Sequence, residues 1–359
     1  MSKKLMYLCF VLACLCLMPA CSDDNDPLPA PLPEPGIPFQ GPDRYTQAAN
    51  QQNGDVVADS LYFYYFDYNK VTDQDDPLPL VRKNKQTGET EILHQSNDMD
   101  YLYLHEGFLY YYEGSDEVYN IWRMPTSEPD KLERLFSIKN RALYKVRYLD
   151  SGIYLYFPGS GKITQCRLSY DGQNLEPLFW DWNGIPLLEH EGYIYYLKAD
   201  WETGNEVLYR SKVNETTMGE PVFQQEGFIR DCIFFNHRIH LFVMSYDMEG
   251  SLVSIEPDGS DPQTVLTFPS ESNANLYPEF NVWGDTLFLT GSFYGESGDA
   301  LVTGLYTLHA GESRPTLLLE GDIDSLLIPE YNCIIYQDGE ASDYGYRVTD
   351  FQGNTPHKL

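Results

Sequence analysis

The side chains best suited to acid–base work or to holding a transition metal are His94, His105, His190, His237, His240, His309 and His357. Only His237 and His240 lie close together, and on a strand that spacing puts them on opposite faces. His105 and His190 each stand just before a Glu-Gly turn, at equivalent places in two similar segments. Packed, satisfied histidines are therefore expected, and no metal or other cofactor is implied. Asp73, Asp75 and Asp76 share a short acidic stretch without the glycine and closing glutamate of a calcium loop. Gly159-Ser160-Gly161 is a turn with no strand–turn–helix context for a nucleophile. The sequence offers no catalytic residue. Its better clue is aromatic. Trp180 and Trp182 stand in Phe179-Trp-Asp-Trp-Asn-Gly184, and Trp201 in Ala199-Asp-Trp-Glu-Thr-Gly204. Tryptophan in a polar loop presents a flat face to a sugar ring or a peptide, and these three are the candidate ligand-binding residues. The bland alternative is packing between structural units.

These loops sit inside a repeat. An apolar strand, a tight turn, a Tyr-rich strand, a polar loop, a third strand and a short fourth strand recur along the chain. The clearest copy starts at Ile185-Pro-Leu-Leu-Glu-His-Glu-Gly192, followed by Tyr193-Ile-Tyr-Tyr-Leu197. One apolar anchor per second strand gives Leu61, Leu109, Ile153, Ile194, Ile239, Leu287 and Ile334. Seven units at a period near 45 residues predict an all-β, seven-bladed β-propeller of four-stranded blades over residues 41–359. A paired sandwich or a solenoid is the competing architecture. A lone blade cannot bury both faces, so many of the 29 Tyr and 18 Phe are expected between blades. The last unit supplies its own short outer strand near Thr355 to His357. Residues 45–51 could instead pair there and clasp the ring.

The third-strand segments Trp122-Arg-Met124, Leu208-Tyr-Arg210 and Leu305-Tyr-Thr307 resemble the TolB-like propellers and the related DUF5050 family. So do the turns Asp171-Gly172 and Asp258-Gly259. The resemblance covers about residues 50–359. Ile239-His-Leu241 and Ile334-Ile-Tyr336 depart from it by lacking the paired tyrosines. It implies a binding or scaffold domain without chemistry of its own. Oligogalacturonate lyases also use a seven-bladed propeller, with a His-bound metal. A propeller lyase or hydrolase acting on polysaccharide in the central pocket is thus the second reading. A scaffold subunit of an envelope complex is the third.

The chain begins with Lys3-Lys4, an apolar run from Leu5 to Leu17, and Met18-Pro-Ala-Cys21. About 20 apolar residues are needed to span a bilayer, and this run is shorter. It reads as an export signal over residues 1–20. Its end resembles the lipobox of bacterial lipoproteins, with Met in place of the commoner Leu three residues before the cut. The resemblance implies lipid attachment at Cys21. Ser22-Asp-Asp-Asn-Asp26 resembles the surface-export signal of Bacteroidota lipoproteins, which implies exposure on the outer membrane. Residues 21–40 then form an acidic, Pro-rich spacer.

Losing residues 1–20 removes Lys3 and Lys4 and no acid, which moves the formal charge from −30 to −32. Nucleic acid is excluded as a partner, since it requires basic surface. The expected partners are the membrane, through the lipid, and a glycan, peptide or envelope protein. Cys166, Cys232 and Cys333 remain in the mature chain as an odd, widely spaced set, expected as small buried hydrophobes.

Overall fold

The computed structural model describes residues 43–359, apart from 52–53, 72, 74–75, 115–117, 140–142, 144, 158–164, 180–184, 200–202, 272–276, 296–299, 331, 340–344 and 355. Cys21 and the spacer therefore lie outside the described residues. Seven antiparallel sheets of four strands follow one another along the chain. Blade one is β1 Val56–Ala58, β2 Tyr62–Phe66, β3 Leu78–Asn84 and β4 Thr90–Ser96. Blade two is β5 Met99–His105, β6 Phe108–Gly114, β7 Val118–Pro125 and β8 Glu133–Lys139. Blade three is β9 Lys145–Leu149, β10 Gly152–Tyr156, β11 Gln165–Leu168 and β12 Leu175–Leu178. Blade four is β13 Ile185–His190, β14 Tyr193–Ala199, β15 Glu206–Lys212 and β16 Glu220–Gln224. Blade five is β17 Phe228–Phe235, β18 Arg238–Met244, β19 Gly250–Ile255 and β20 Gln263–Phe268. Blade six is β21 Phe280–Trp283, β22 Thr286–Tyr294, β23 Leu301–His309 and β24 Thr316–Glu320. Blade seven is β25 Ile323–Glu330, β26 Cys333–Asp338, β27 Tyr346–Thr349 and β28 His357–Lys358. This is the predicted seven-bladed propeller.

Each sheet alternates so that both faces are apolar, and neighbouring sheets share the resulting cores. One such core spans blades two and three, from Tyr103 and Tyr110 to Ile153 and Leu168. The anchors Leu109, Ile153, Ile194, Ile239, Leu287 and Ile334 are all fully buried in second strands. Leu61 is the exception. It precedes β2 and is 53 % exposed, because Asp59 accepts the Leu61 and Tyr62 amides and holds Leu61 in the turn. Buried Phe63 takes its place in the strand. Cys166, Cys232 and Cys333 are free, buried and on strands, as expected.

Closure differs from the predicted clasp. The last blade does complete itself, with His357 opposite Val348 and Lys358 opposite Arg347. Residues 45–51 pair with no strand there. Arg44–Asn50 form a helix, α1. Asp43 caps it, accepting the amides of Tyr45 and Thr46. Thr46-Gln-Ala-Ala suits a helix better than a strand, since alanine and glutamine are strong helix formers. The helix packs against the inner strands β9, β13, β17, β21 and β25, so it lies in the central channel. Ala48 and Asn50 are buried there. Asn50 Nδ2 donates to the carbonyls of Val282 and Ile328, and Asn50 Oδ1 accepts the Val282 amide. Just past the helix, Gln51 Oε1 accepts the Leu104 amide. One short segment thereby joins blades two, six and seven through the axis.

Candidate functional site

The helix divides the molecule into two unlike ends. At one end the inner strands turn directly into the second strands. There Arg44 pairs with Asp150 at 3.3 Å, beyond the end of β9, and Tyr45 meets the His190 ring at 5.6 Å, at the end of β13. This is the plugged end, where the chain enters the described structure. The opposite end carries the longer connections between second and third strands and between blades. It is the open end.

The histidines meet the expectation only in part: His94, His105, His190 and His240 are at least partly buried, His237 and His309 are exposed, and His94 Nε2, His190 Nδ1 and His240 Nδ1 have no hydrogen-bond partner. His190 stacks on Phe234 at 3.4 Å and His105 on Tyr170 at 4.1 Å, both at the plugged end. Burial pushes His240 down to about 4, and pushes His94, His105 and His190 below the usual imidazole range. Asp73 donates its amide to Asp76 Oδ2, so these two acids close a turn, and Asp75 lies outside the described residues. Among the described residues, no group of three or more His, Cys, Asp or Glu is placed to hold one metal ion.

The candidate ligand residues Trp180, Trp182 and Trp201 lie outside the described residues. The strands leading to them, β12 and β14, run towards the open end of blades three and four. Among the described aromatics, three tyrosines are exposed at that end: Tyr246 at 46 %, Tyr277 at 69 % and Tyr294 at 47 %. An exposed tyrosine is ordinary, but three at one end of a disc make a surface suited to stacking. Tyr246 is positioned by its hydroxyl, which donates to Asn205 Oδ1 at 2.9 Å, and by the edge of the Phe228 ring. Arg230 lies over the rings of both Phe228 and Tyr277.

Beside Tyr277, a cavity of about 840 Å³ opens between blades six and seven. Glycine makes the room. Gly291 on β22 is directly opposite Gly304 on β23, so no side chain stands on that patch of the sheet. Gly304 has no space for a side chain in any case, since a Cβ there would meet the Leu319 carbonyl oxygen at 2.1 Å. The cavity is lined by Glu279, Glu320, Asp322, Asp324, Thr303 and Tyr277, among others. Asp324 is pushed up by partial burial and by its neighbours Asp322 and Asp338. The groove thus offers carboxylates and hydroxyls beside an aromatic face. Among its described lining residues, no nucleophile is paired with a base. Its size falls within the range of ordinary ligand sites.

Another feature joins blades one and two. Asp55, just before β1, and Asp100 on β5 are electrostatic neighbours, and the Tyr68 hydroxyl donates to Asp55. Burial first, and Asp100 second, push the Asp55 carboxyl up to about 7. Asp100 is raised too. Two buried carboxyls this close favour a shared proton. The folded value exceeds the unfolded one, so the protonated pair favours the fold at low pH. That contribution is lost as pH rises from about 4 through 7. The expected result is a melting temperature that declines across this window, and a flatter profile for Asp55→Asn.

No family model matches the chain, and no curated protein matches it. Solved structures do. The chain superposes on an uncharacterized protein of Listeria monocytogenes with a TM-score of 0.57 and 12 % identity, covering 86 % of this chain and 94 % of that one. The β-propeller domain of the Trilobed protease from Pyrococcus furiosus gives 0.57 and 12 %, covering 85 % and 94 %. A prolyl endopeptidase gives 0.58 and 10 %, covering 88 % of this chain but 50 % of that one. At these identities the likeness is one of fold.

Two groups of residues escaped the sequence reading. The plug α1 is seven residues long, too short to show a helical apolar period. The groove is assembled from blades six and seven, and its glycines become partners only in the hairpin. The composition did carry a trace of it, in the acid-rich stretch Glu320-Gly-Asp-Ile-Asp324.

Proposed function

We infer that this protein is a lipid-anchored, surface-exposed binding propeller with no catalytic activity of its own. It takes a glycan, peptide or protein ligand at the open end. The observation that carries this reading is the contrast between the two ends. One is filled by the chain's own helix. The other gathers the exposed tyrosines and the acidic groove. Attachment at Cys21, residues 21–40 as spacer and membership of the TolB-like or DUF5050 propellers are parts of the same reading. They rest on the sequence resemblances. Entry of the chain at the plugged end supports it, since the spacer would then lead from the membrane to the end opposite the proposed binding surface. The groove's carboxylates favour a ligand with basic or hydroxyl-rich groups. Similar propellers occur in proteins named as peptidases, which places peptides among the ligands to try.

The test uses residues 22–359 against glycan and peptide arrays, with mass spectrometry of whatever binds. Ligand recovered unchanged is expected. Charge reversal in the groove by Glu320→Lys with Asp322→Lys should weaken binding at least tenfold. Trp180→Ala, Trp182→Ala and Trp201→Ala should weaken it without lowering the melting temperature. Conversion of the ligand to product would overturn the non-catalytic reading. Binding unaffected by all five substitutions would overturn the placement at this end.

A further inference from the structure

Past α1 the chain descends along β5 and meets every second residue of it. The Gln51 side chain takes Leu104, its Oε1 accepting that amide at 2.8 Å and its Nε2 donating to that carbonyl. The Gly54 carbonyl accepts the Leu102 amide at 2.9 Å. Asp55 then stands beside Asp100, its electrostatic neighbour. The result is a ladder of three rungs, two made by amides and one by acids. The approach is close. A Cβ on Gly54 would meet the Gln51 and Leu102 carbonyl oxygens at 3.0 and 3.3 Å.

Blade two is deformed where the ladder forms. β5 pairs with β6 at Asp100 and again at Tyr103, and the register shifts between them. Inside that bulge Tyr101 has a φ of 56°, in the left-handed region, which a tyrosine adopts only at a cost. The bulge frees the Leu102 amide for Gly54. A strained bulge held by three rungs has a second, relaxed arrangement within reach, and only the acid rung changes its charge.

The titratable neighbours of that rung are acids and phenols. Tyr68, after β2, donates to Asp55 at 3.1 Å. Asp98, just before β5, acts on Asp100, as do Tyr112 of β6 and Tyr148 of β9. Tyr346 of β27 faces both carboxyls, is 3 % exposed, and leaves its hydroxyl without a hydrogen-bond partner among the described residues. Among the described residues, no lysine or arginine acts on either acid. A shared proton is therefore what can hold the two together.

We propose that this ladder is a proton-operated latch on the plug: a proton shared between Asp55 and Asp100 fastens the end of α1 to blade two, and loss of that proton loosens it. Ionised together, the carboxylates repel across the third rung, Gly54 draws away from Leu102, and the bulge at Tyr101 relaxes. Asn50 and Gln51 then hold the helix with less support. The raised Asp55 carboxyl sets the window. The latch is closed in acid and opens as pH rises through about 7.

Hydrogen exchange, read amide by amide on residues 22–359 and corrected for intrinsic exchange, tests this at about pH 5 and about pH 8.5. Protection of the Leu102 and Leu104 amides should fall roughly tenfold or more at the higher pH. The Val282 amide, which Asn50 accepts, should follow, while amides of blade five keep their protection. Asp100→Asn and Asp55→Asn are nearly isosteric and place an amide donor against the remaining carboxylate. Both should keep Leu102 protected at either pH. Equal protection of Leu102 in the unaltered protein at the two pH values would overturn the latch. So would the same fall in both variants, or a fall shared equally by blade five.

Discussion

Glu330→Ala is expected to lower the stability of the propeller by about 3–5 kcal/mol, because it strands a buried lysine. Lys85 is a blade-one residue whose side chain is 1 % exposed, and its Nζ lies 2.5 Å from Glu330 Oε1 on blade seven. The same ammonium sits 4.7 Å from the centre of the Phe63 ring. This is the seam where the first and last blades meet. Around the pair, Val56, Phe63 and Val81 of blade one pack against Leu327, Ile335 and Val348 of blade seven. Taking two charges out of water costs as much as their attraction returns, so the intact pair contributes little net stability. Removing one partner leaves the full desolvation cost of the other. The expected reading is a fall in melting temperature of roughly 5–10 °C for Glu330→Ala. The double variant Lys85→Met with Glu330→Leu should recover most of the loss, since two apolar side chains can fill the seam. Equal losses in the single and double variants would show that the pair's geometry is itself required.

Asn50→Ala is the second large effect. The Asn50 side chain makes three hydrogen bonds with Val282 and Ile328, all in buried surroundings. Deleting it leaves a buried amide and two buried carbonyls short of partners. Each unsatisfied group costs on the order of 1–3 kcal/mol, so a total near 3 kcal/mol is expected after partial relaxation. Chemical denaturation of Asn50→Ala and Asn50→Asp distinguishes the roles. Aspartate keeps an acceptor for the Val282 amide but lacks the donor, and it adds a buried charge. It should be at least as damaging as alanine. A loss below about 0.5 kcal/mol for both would mean that the helix adds nothing to ring closure.

These two effects act where the chain has no strand exchange to close its ring. The first blade is built entirely from early residues and the last entirely from late ones. The apolar seam, the buried ion pair and the axial helix do that work instead. This also bears on the polysaccharide-lyase reading, which needs a substrate in the central pocket. In this protein α1 occupies the channel, packed against the inner strands of five blades.

The propeller itself was legible because its signal is repeated. Alternation in segments such as Tyr193-Ile-Tyr-Tyr-Leu197 marks strands, and seven copies average out local irregularity. The one misplaced anchor is Leu61. Both Leu61 and Phe63 are apolar, and only the hydrogen bonds from Leu61 and Tyr62 to Asp59 decide which enters the strand. The helix α1 was illegible for a different reason. Its burial comes from the inner edges of five blades far away in sequence, and a buried Asn50 leaves no apolar stripe. The candidate site depends on the same kind of distant assembly. Gly291 and Gly304 acquire meaning only when the hairpin sets them opposite each other. What the sequence does show in one place, the Trp-rich connection after Phe179, concerns composition and leaves geometry open.

The central claim is that the chain's own N-terminal helix fills one end of the channel, leaving the other end to bind. Thiol accessibility of Ala48→Cys tests it most directly, in protein starting at residue 22. The native cysteines Cys166, Cys232 and Cys333 are buried, so they provide a silent background. Ala48 is 2 % exposed on the helix. The new thiol should resist a polar disulfide reagent until denaturant is added, while Thr203→Cys at the open end reacts at once. Reaction of Ala48→Cys in the native protein as fast as Thr203→Cys would contradict the plugged channel, and with it the assignment of the binding end.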